Sequence, residues 1–456
     1  MLIKTDEIIT VENLKSIIDD CKDRHDFMYK LHLRYKTDPE GTPIKTREYM
    51  IDQVKQTGKI NNHLNNDFFS EIVDTKIGFF VGVPIVYAVD EKSYGESEKA
   101  KIDESITDFN AINNVADLDS ETAKRASIYG SCGRLMYIEE AEIKAKIYEG
   151  YECIFLGDAI SAPRQAIYYY REDDKKKTTA YLYDATNVTK CEMKDDEEKF
   201  TVVEAEKAHG FDICPLFGFA NNDELLGDGE KVLELIDAYD RGLSDINNEL
   251  EQFRLAYMVF CGATPKAEDI IAAMQTGAFH IPVGSTLDFL TKDLNDAIIE
   301  HHLDRIEANI YRFSATPNMK DISFAGNLTG VAMAYKFRSF EYKCKTMELK
   351  FKSALSYQYK VMQYILNAKG IPLNYMDMDF TFVRNYPQNL LEESQILMTL
   401  KGLVSEKTRL GLMSFIDDPQ AEIEAMQEDN RSLLPPVSFN EVDVNGNPIE
   451  KQPVQE

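Results

Sequence analysis

An α+β chain, mainly helical and built from several modules, is what this sequence predicts, on three observations. Beyond residue 228, long stretches keep their apolar residues at helical spacing. Residues 129–220 break instead into short β-type runs separated by polar turns. Finally, 456 residues exceed the roughly 150 of a typical domain, so more than one core is expected, and a 44% apolar content can fill them.

Charge narrows the function classes. Lys and Arg number 51 against 78 Asp and Glu, a formal net charge of −27. So acidic a chain repels polyphosphate at long range, which argues against sequence-independent DNA binding by the whole protein yet lets DNA pass without sticking. The seven cysteines (Cys21, Cys132, Cys153, Cys191, Cys214, Cys261 and Cys344) are scattered and never spaced C-x-x-C. They read as free thiols in a reducing compartment, with neither zinc nor disulfides expected. The opening MLIKTDEIITVENL lacks a signal-peptide profile, and the longest apolar stretch, Phe68 to Val89, carries Glu71, Asp74 and Lys76. A buried helix and strand is expected there, not a membrane span, in a soluble protein made in the cytoplasm.

Residues 1–60 read as polar helices broken at Asp38-Pro-Glu-Gly-Thr-Pro43. A helix over Phe68–Gly82 exits at Gly82-Val-Pro84 into a strand. Helical spacing returns over Asp103–Ile128 as one stretch. The β runs are 135–138, 145–148, 152–155, 166–170, 179–183 and 200–203, with the Lys175-Lys-Lys177 turn expected to be solvated because acids precede it.

From Val232 the apolar positions run Ile236, Tyr239, Leu243, Ile246, Leu250 and Phe253, a 4-3 alternation held for over three heptads. Asp228 is placed to cap this helix, and the rod would be roughly 40 Å long. A second helix repeats the pattern with Ile299, Leu303, Ile306, Ile310 and Phe313. Between them, residues 258–292 hold the strand-like run MVFCG, a short helix from Lys266 to Gln275, and then the runs FHIPV and LDFL around the turn Gly284-Ser285. A third helix, from about Thr329 to Ala368, places Phe337, Phe340, Cys344, Met347, Phe351, Leu355, Gln358, Met362 and Ile365 on one face. A strand over 376–384 and three short helices (389–401, 405–413 and 419–428) follow, and the end beyond Asp429 reads as disordered. The seams suit a coiled coil, a domain core or a contact between copies; the helix length favours packing between copies.

Chemistry is poorly supported. His301, His302 and Asp304 tempt as metal ligands, but on a helix His302 points about 100° away from the other two. Gly130-Ser-Cys-Gly133 has no accompanying base, and no nucleotide-binding loop occurs. A metal-dependent hydrolase is therefore a distant alternative, and no cofactor is expected. One local exception to the acidity lies between Val331 and Lys360, where seven Lys and Arg stand against Glu341 and Glu348. Lys336, Arg338 and Lys343 are its candidates for contact with phosphate or with an acidic neighbouring copy.

Four runs carry a resemblance: LNNDFFSEIVDTKIGFFVGVPI (64–85), YGSCGRLMYI (129–138), LLGDGEKVLELIDAYDRGLSDINNELEQF (225–253) and FAGNLTGVAMAYK (324–336). Their order resembles the portal, or head-to-tail connector, proteins of tailed bacteriophages of the siphophage type. The resemblance implies a virion component, assembled in the host cytoplasm as a homo-oligomeric ring of about twelve copies. Such a ring sits at one capsid vertex as the conduit for DNA packaging and ejection. It implies a wing (1–228), a first stem helix (229–257), a clip (258–292), a second stem helix (293–315) and a tunnel loop (316–328). A long helix with a returning wing strand (329–388), crown helices (389–430) and a disordered tail (431–456) complete it. Asn318, Met319, Lys320, Asp321, Ile322 and Ser323 would line the DNA channel. Ile236, Leu243, Ile246, Leu250, Phe253, Leu303, Ile306 and Ile310 would pack copy against copy. The implied partners are the terminase large subunit, a head-completion or tail adaptor protein, major capsid and scaffolding proteins, and double-stranded DNA passing without sequence specificity; no membrane is involved. Another ring-forming phage component, such as an adaptor, is the alternative.

Overall fold

The computed structural model describes residues 1–4, 8–48, 50–51, 54–55, 60–90, 93–254, 257–262, 264–276, 281–290, 296–319, 330–385, 390–413, 416 and 419–433. The helices among them are α1 (Leu14–Tyr35), α2 (Phe68–Phe80), α3 (Glu96–Ile112), α4 (Val115–Tyr129), α5 (Leu233–Arg254) and α6 (Ala267–Thr276). They continue as α7 (Asp296–Ser314), α8 (Gly330–Ala368), α9 (Leu390–Leu400), α10 (Glu406–Leu410) and α11 (Pro419–Leu433). The chain divides into two compact units. One comprises Met1–Ala325 with Lys336–Asn385, the other Gly326–Tyr335 with Tyr386–Glu456.

The strands are β1 (Leu2–Ile3), β2 (Met50–Ile51), β3 (Val54–Lys55), β4 (Val86–Val89), β5 (Ser131–Glu139), β6 (Glu142–Tyr148), β7 (Cys153–Leu156) and β8 (Gln165–Glu172). After these come β9 (Lys177–Tyr183), β10 (Asn187–Lys194), β11 (Thr201–Ala208), β12 (Leu216–Ala220), β13 (Tyr257–Cys261), β14 (Thr286–Leu290) and β15 (Met378–Thr381). A six-stranded sheet runs β1-β7-β8-β9-β10-β11, with β1 parallel to β7 and every other neighbour antiparallel. Leu14 and Cys21 of α1 pack on one face against Ile154, Ile167, Ala180 and Cys191. Phe155, Ala166 and Tyr183 instead join Leu135 and Leu216 of the second sheet, β12-β5-β6.

At 1.5 Å per residue the 39 residues of α8 span about 58 Å, and from Lys336 on it is the beam of the larger unit. The expected core face is buried from Phe337 to Met362, with Ile365 half-buried and Leu366 taking over at its end. Phe351 meets Phe219 of β12 at 4.6 Å and Phe80 of α2 at 5.8 Å between ring centres. Such offset and edge contacts add to burial of large apolar surfaces.

Several local expectations are corrected. The stretch 103–128 is two helices, broken where Asn114 adopts the left-handed conformation at φ 45°. The strand 376–384 shrinks to β15 behind a 3-10 turn at Tyr375–Asp377. Ser131-Cys132-Gly133 already belongs to β5, so Gly130 alone makes the turn, at φ 95°. A Cβ there would lie 2.0 Å from the Leu225 carbonyl oxygen.

Asp228 does not cap α5. It is buried, and its carboxylate accepts from Lys76 Nζ of α2 at 2.9 and 3.2 Å and from Ser127 Oγ of α4. Asn221 Nδ2 donates to it at 3.1 Å, and Lys343 Nζ of α8 lies 2.9 Å away. Lys76, only 1% exposed, also donates to Asn221 Oδ1 at 2.5 Å, and Lys343 donates to the Ser314 carbonyl at the end of α7 at 2.8 Å. Despite burial, the two ammonium groups hold the Asp228 carboxyl well below the usual carboxylate range. The flanking motif is equally tight: Arg24 clamps Glu230 with two bonds, at 2.8 and 3.0 Å, and a Cβ on Gly229 would meet the Phe69 ring at 2.5 Å.

A second buried pair ties Arg134 of β5 to Asp119 of α4 at 2.9 Å, with Thr122 Oγ1 at 2.6 Å and Gln358 Oε1 of α8 at 2.8 Å. Tyr87 of β4 donates to the same Asp119 carboxylate.

Two outcomes follow for stability. Asp228→Asn leaves two buried ammonium groups short of a counter-charge and should cost about 3–5 kcal/mol or prevent folding, read as a lowered denaturation midpoint. Because the Asp228 pKa is depressed, its contribution is present above the ordinary carboxylate range and is lost as pH falls below it; the variant should show a flatter acid limb. Glu152 is the opposite case, its pKa pushed up to about 7 by burial and then by nearby Glu149. Its ionisation therefore weakens the fold as pH rises from about 4.5 towards 7, so Glu152→Gln should stabilise the protein at pH 8 and hardly at pH 4, measured by thermal unfolding.

Candidate functional site

α5 and α7 form an antiparallel pair. Phe68 lies edge-on to Tyr239 near the start of α5 and to Tyr311 near the end of α7, at 5.0 and 5.9 Å. Further along, Gly242 faces Leu303, and a Cβ there would sit 3.4 Å from Leu303 Cδ2. That is ordinary van der Waals contact, so the rods touch here whether or not the position carries a methyl group.

The 4-3 seam divides in two. At the end near the sheets, Val232, Ile236 (1% exposed), Ile306 and Ile310 (0%) are buried within one chain. The expectation that Ile236, Ile306 and Ile310 face a neighbouring copy is corrected: α2 and the paired rod already cover this end. Towards the far end the cover thins. Leu243, Ile246 and Leu303 are half-buried, while Leu250 is 53% and Ile298 66% exposed. The Phe253 side chain lies outside the described residues.

A third strip of chain runs along α5. Asp240, Ser244 and Asn248 recur every four residues and so share a face. Asn66 donates to Asp240 Oδ1 through backbone and side chain at 2.9 Å, and Leu64 N donates to Ser244 Oγ at 3.0 Å. Asn62 donates to Asn248 Oδ1 at 2.6 and 2.9 Å. Arg34 and Arg47 add ion pairs to Asp237 and Asp245 at 2.6 and 2.9 Å. Residues 60–67 are thus a splint that fixes which face of the rod stays open. The i, i+4 polar spacing on α5 is the sequence signal that marks it.

Beyond the rods, β13 and β14 pair antiparallel, from Tyr257 opposite Leu290 to Cys261 opposite Thr286, with α6 between them in sequence. Val259 and Ile271 are exposed here. Of the candidate channel residues, Asn318 is half-buried and donates to Glu307 Oε1 at 3.2 Å, and Met319 is exposed. Lys320, Asp321, Ile322 and Ser323 lie outside the described residues.

The basic run on α8 is largely committed inside the chain. Lys343 belongs to the Asp228 cluster, so its first partner is a carboxylate of its own chain and not an acidic neighbouring copy. Lys345 and Lys352 pair with Glu348, Lys350 with Asp223, and Arg384 bridges Glu341 and Glu348. Lys336 is half-buried; Arg338 is exposed and donates to Tyr342 Oη at 2.7 Å. His301, His302 and Asp304 lie exposed on α7, and no group of three or more His, Cys, Asp or Glu among the described residues is arranged to hold a metal ion. No helix among the described residues is long and apolar enough to cross a membrane.

Comparison with known proteins finds relatives. A portal protein of Bacillus phage SPP1 is 24% identical over 406 residues, covering 83% of this chain and 78% of that protein. One from Clostridium phage phiCD119 is 24% identical over 217 residues, covering 46% of this chain and 47% of its own. Among solved structures, a chain from "Neck of empty GTA particle computed with C6 symmetry" aligns at a TM-score of 0.44 and 13% identity, over 76% of this chain and 90% of that one. The model of the family "Phage portal protein, SPP1 Gp6-like" matches residues 14–433, nearly the whole chain, and the chain therefore belongs to that family of phage portal proteins.

Proposed function

We propose that copies of this portal protein close into a ring through the far half of the α5–α7 pair, and that the ring conducts DNA without gripping it. The observation that carries this reading is the exposure of Leu250 and Ile298 on rods whose Val232, Ile236, Ile306 and Ile310 are buried within the chain. Apolar area left open on a rigid pair is stabilised by covering, at about 25 cal/mol per Å². A head-to-tail contact repeated around an axis closes when its rotation divides the circle. In this reading α5 and α7 are the stem, and 258–292, with its β13–β14 hairpin, is the clip that meets a terminase large subunit and later a tail adaptor. The six-stranded sheet and its helices are the wing, facing capsid and scaffolding proteins, residues 316–328 the tunnel loop, and α9 to α11 the crown.

Charge supports passage over binding. A net −27 per copy sets a repulsive wall, and the lysines of α8 are drawn into pairs with Glu348, Asp223 and Asp228. Arg338 remains the exposed cation of that run best placed to meet phosphate or an acidic neighbour. The ring has no catalytic role in this reading, so the work of translocation belongs to a separate motor.

The pair of substitutions Leu250→Asp and Ile298→Asp should leave each chain folded, because both side chains are exposed in the single copy, while shifting mass photometry from rings to monomers. Rings in undiminished yield would show that this stripe does not join copies. Deleting residues 317–328 should preserve the ring and abolish packaging of DNA in a complementation assay; loss of the ring itself would make the segment structural.

A further inference from the structure

Beside the Asp228 cluster opens a cleft of about 270 Å³, lined among others by Lys76, Lys231, Lys343, Glu224 and Asp228. Three ammonium groups face two carboxylates, an excess of one positive charge in a molecule of net charge −27. The same excess of one lies deep in the cleft, where Lys76 and Lys343 share the single Asp228.

Donor counting locates the unused valence. Lys76 spends its ammonium group on both Asp228 oxygens and on Asn221 Oδ1. Lys343 spends two N–H groups, on Asp228 and on the Ser314 carbonyl, and an ammonium has three. Lys231, in the 3-10 turn Glu230–Val232 that leads into α5, is exposed at the rim and has no ion-pair partner among the described residues. One unspent donor within and one unpaired cation at the mouth face the same space.

We propose that this cleft is a binding site for a small oxyanion of phosphate or sulfate type, held between Lys343 and Lys231. Charge-assisted bonds to an oxyanion are short and about twice as strong as neutral ones, and the cleft's low-dielectric wall strengthens them further. The bound anion would neutralise the excess charge and brace Lys343 against the end of α7. Burial lowers the Lys343 pKa by more than the Asp228 carboxylate raises it, and the neighbouring Lys76 lowers it further. The site is independent of whether copies form a ring.

The test is isothermal titration of inorganic phosphate into the full chain, with chloride exchanged to keep ionic strength constant, paired with thermal unfolding. The wild type should bind about one phosphate per chain and show a saturable rise in melting temperature. Lys231→Gln lies at the rim and should keep the phosphate-free melting temperature while weakening phosphate binding about tenfold or more. Lys343→Gln should abolish binding, and if it does not fold, the rim variant still decides. Absence of saturable heat in the wild type, or an identical phosphate response in Lys231→Gln, overturns the site and assigns any stabilisation to general salt exclusion.

Discussion

One carboxylate, that of Asp228, holds this protein's helices in relation to one another. It lies in the Gly227-Asp228-Gly229-Glu230 turn just before α5, and it is gripped by Lys76 of α2, Ser127 of α4 and Lys343 of α8. Lys343 in turn donates to the last carbonyl of α7, that of Ser314. Removing one partner from such a buried group strands the other charges, which is far costlier than any single exposed pair. The start of one rod, the end of the other and the long beam α8 are thereby fixed at a single point. The glycines on either side of Asp228 follow from this crowding, since a Cβ at Gly227 would meet the Ile128 carbonyl oxygen at 2.1 Å.

Rigidity at that point decides what the rods can do. Anchored at one end by charge and aromatic packing and splinted along one face by residues 60–67, the α5–α7 pair has little freedom to fold its exposed apolar end back onto its own chain. In the ring proposed above, the matching rod of a neighbouring copy covers it. An assembly built so can be stiff where the fold is anchored and self-complementary where it is open.

Much of this was legible in the sequence, and the reasons are particular. The core face of α8 could be read because eight aromatic, aliphatic and polar positions keep helical phase from Phe337 to Met362. The two rods followed from the 4-3 alternation, and the two strands between them from the runs MVFCG and LDFL, but not the pairing of those strands with each other. Lys76 and Asp228 escaped because pattern reading places charged residues at the surface, and their burial depends on partners more than a hundred residues away in the chain. β10 and β12 were missed for opposite reasons: one is polar and half-buried, the other short and buried on both faces. The seam was read in the right phase but assigned wholly to contacts between copies, because periodicity cannot distinguish burial within a chain from burial between chains.

Single-particle electron microscopy of the purified, unmodified chain bears most directly on the central claim that its open rod ends are closed by neighbouring copies. The expected images show closed rings with a central opening, and reconstructions in which Leu250 and Ile298 abut an adjacent subunit. Particles that remain single at high protein concentration, or rings in which those two side chains still face solvent, would contradict it.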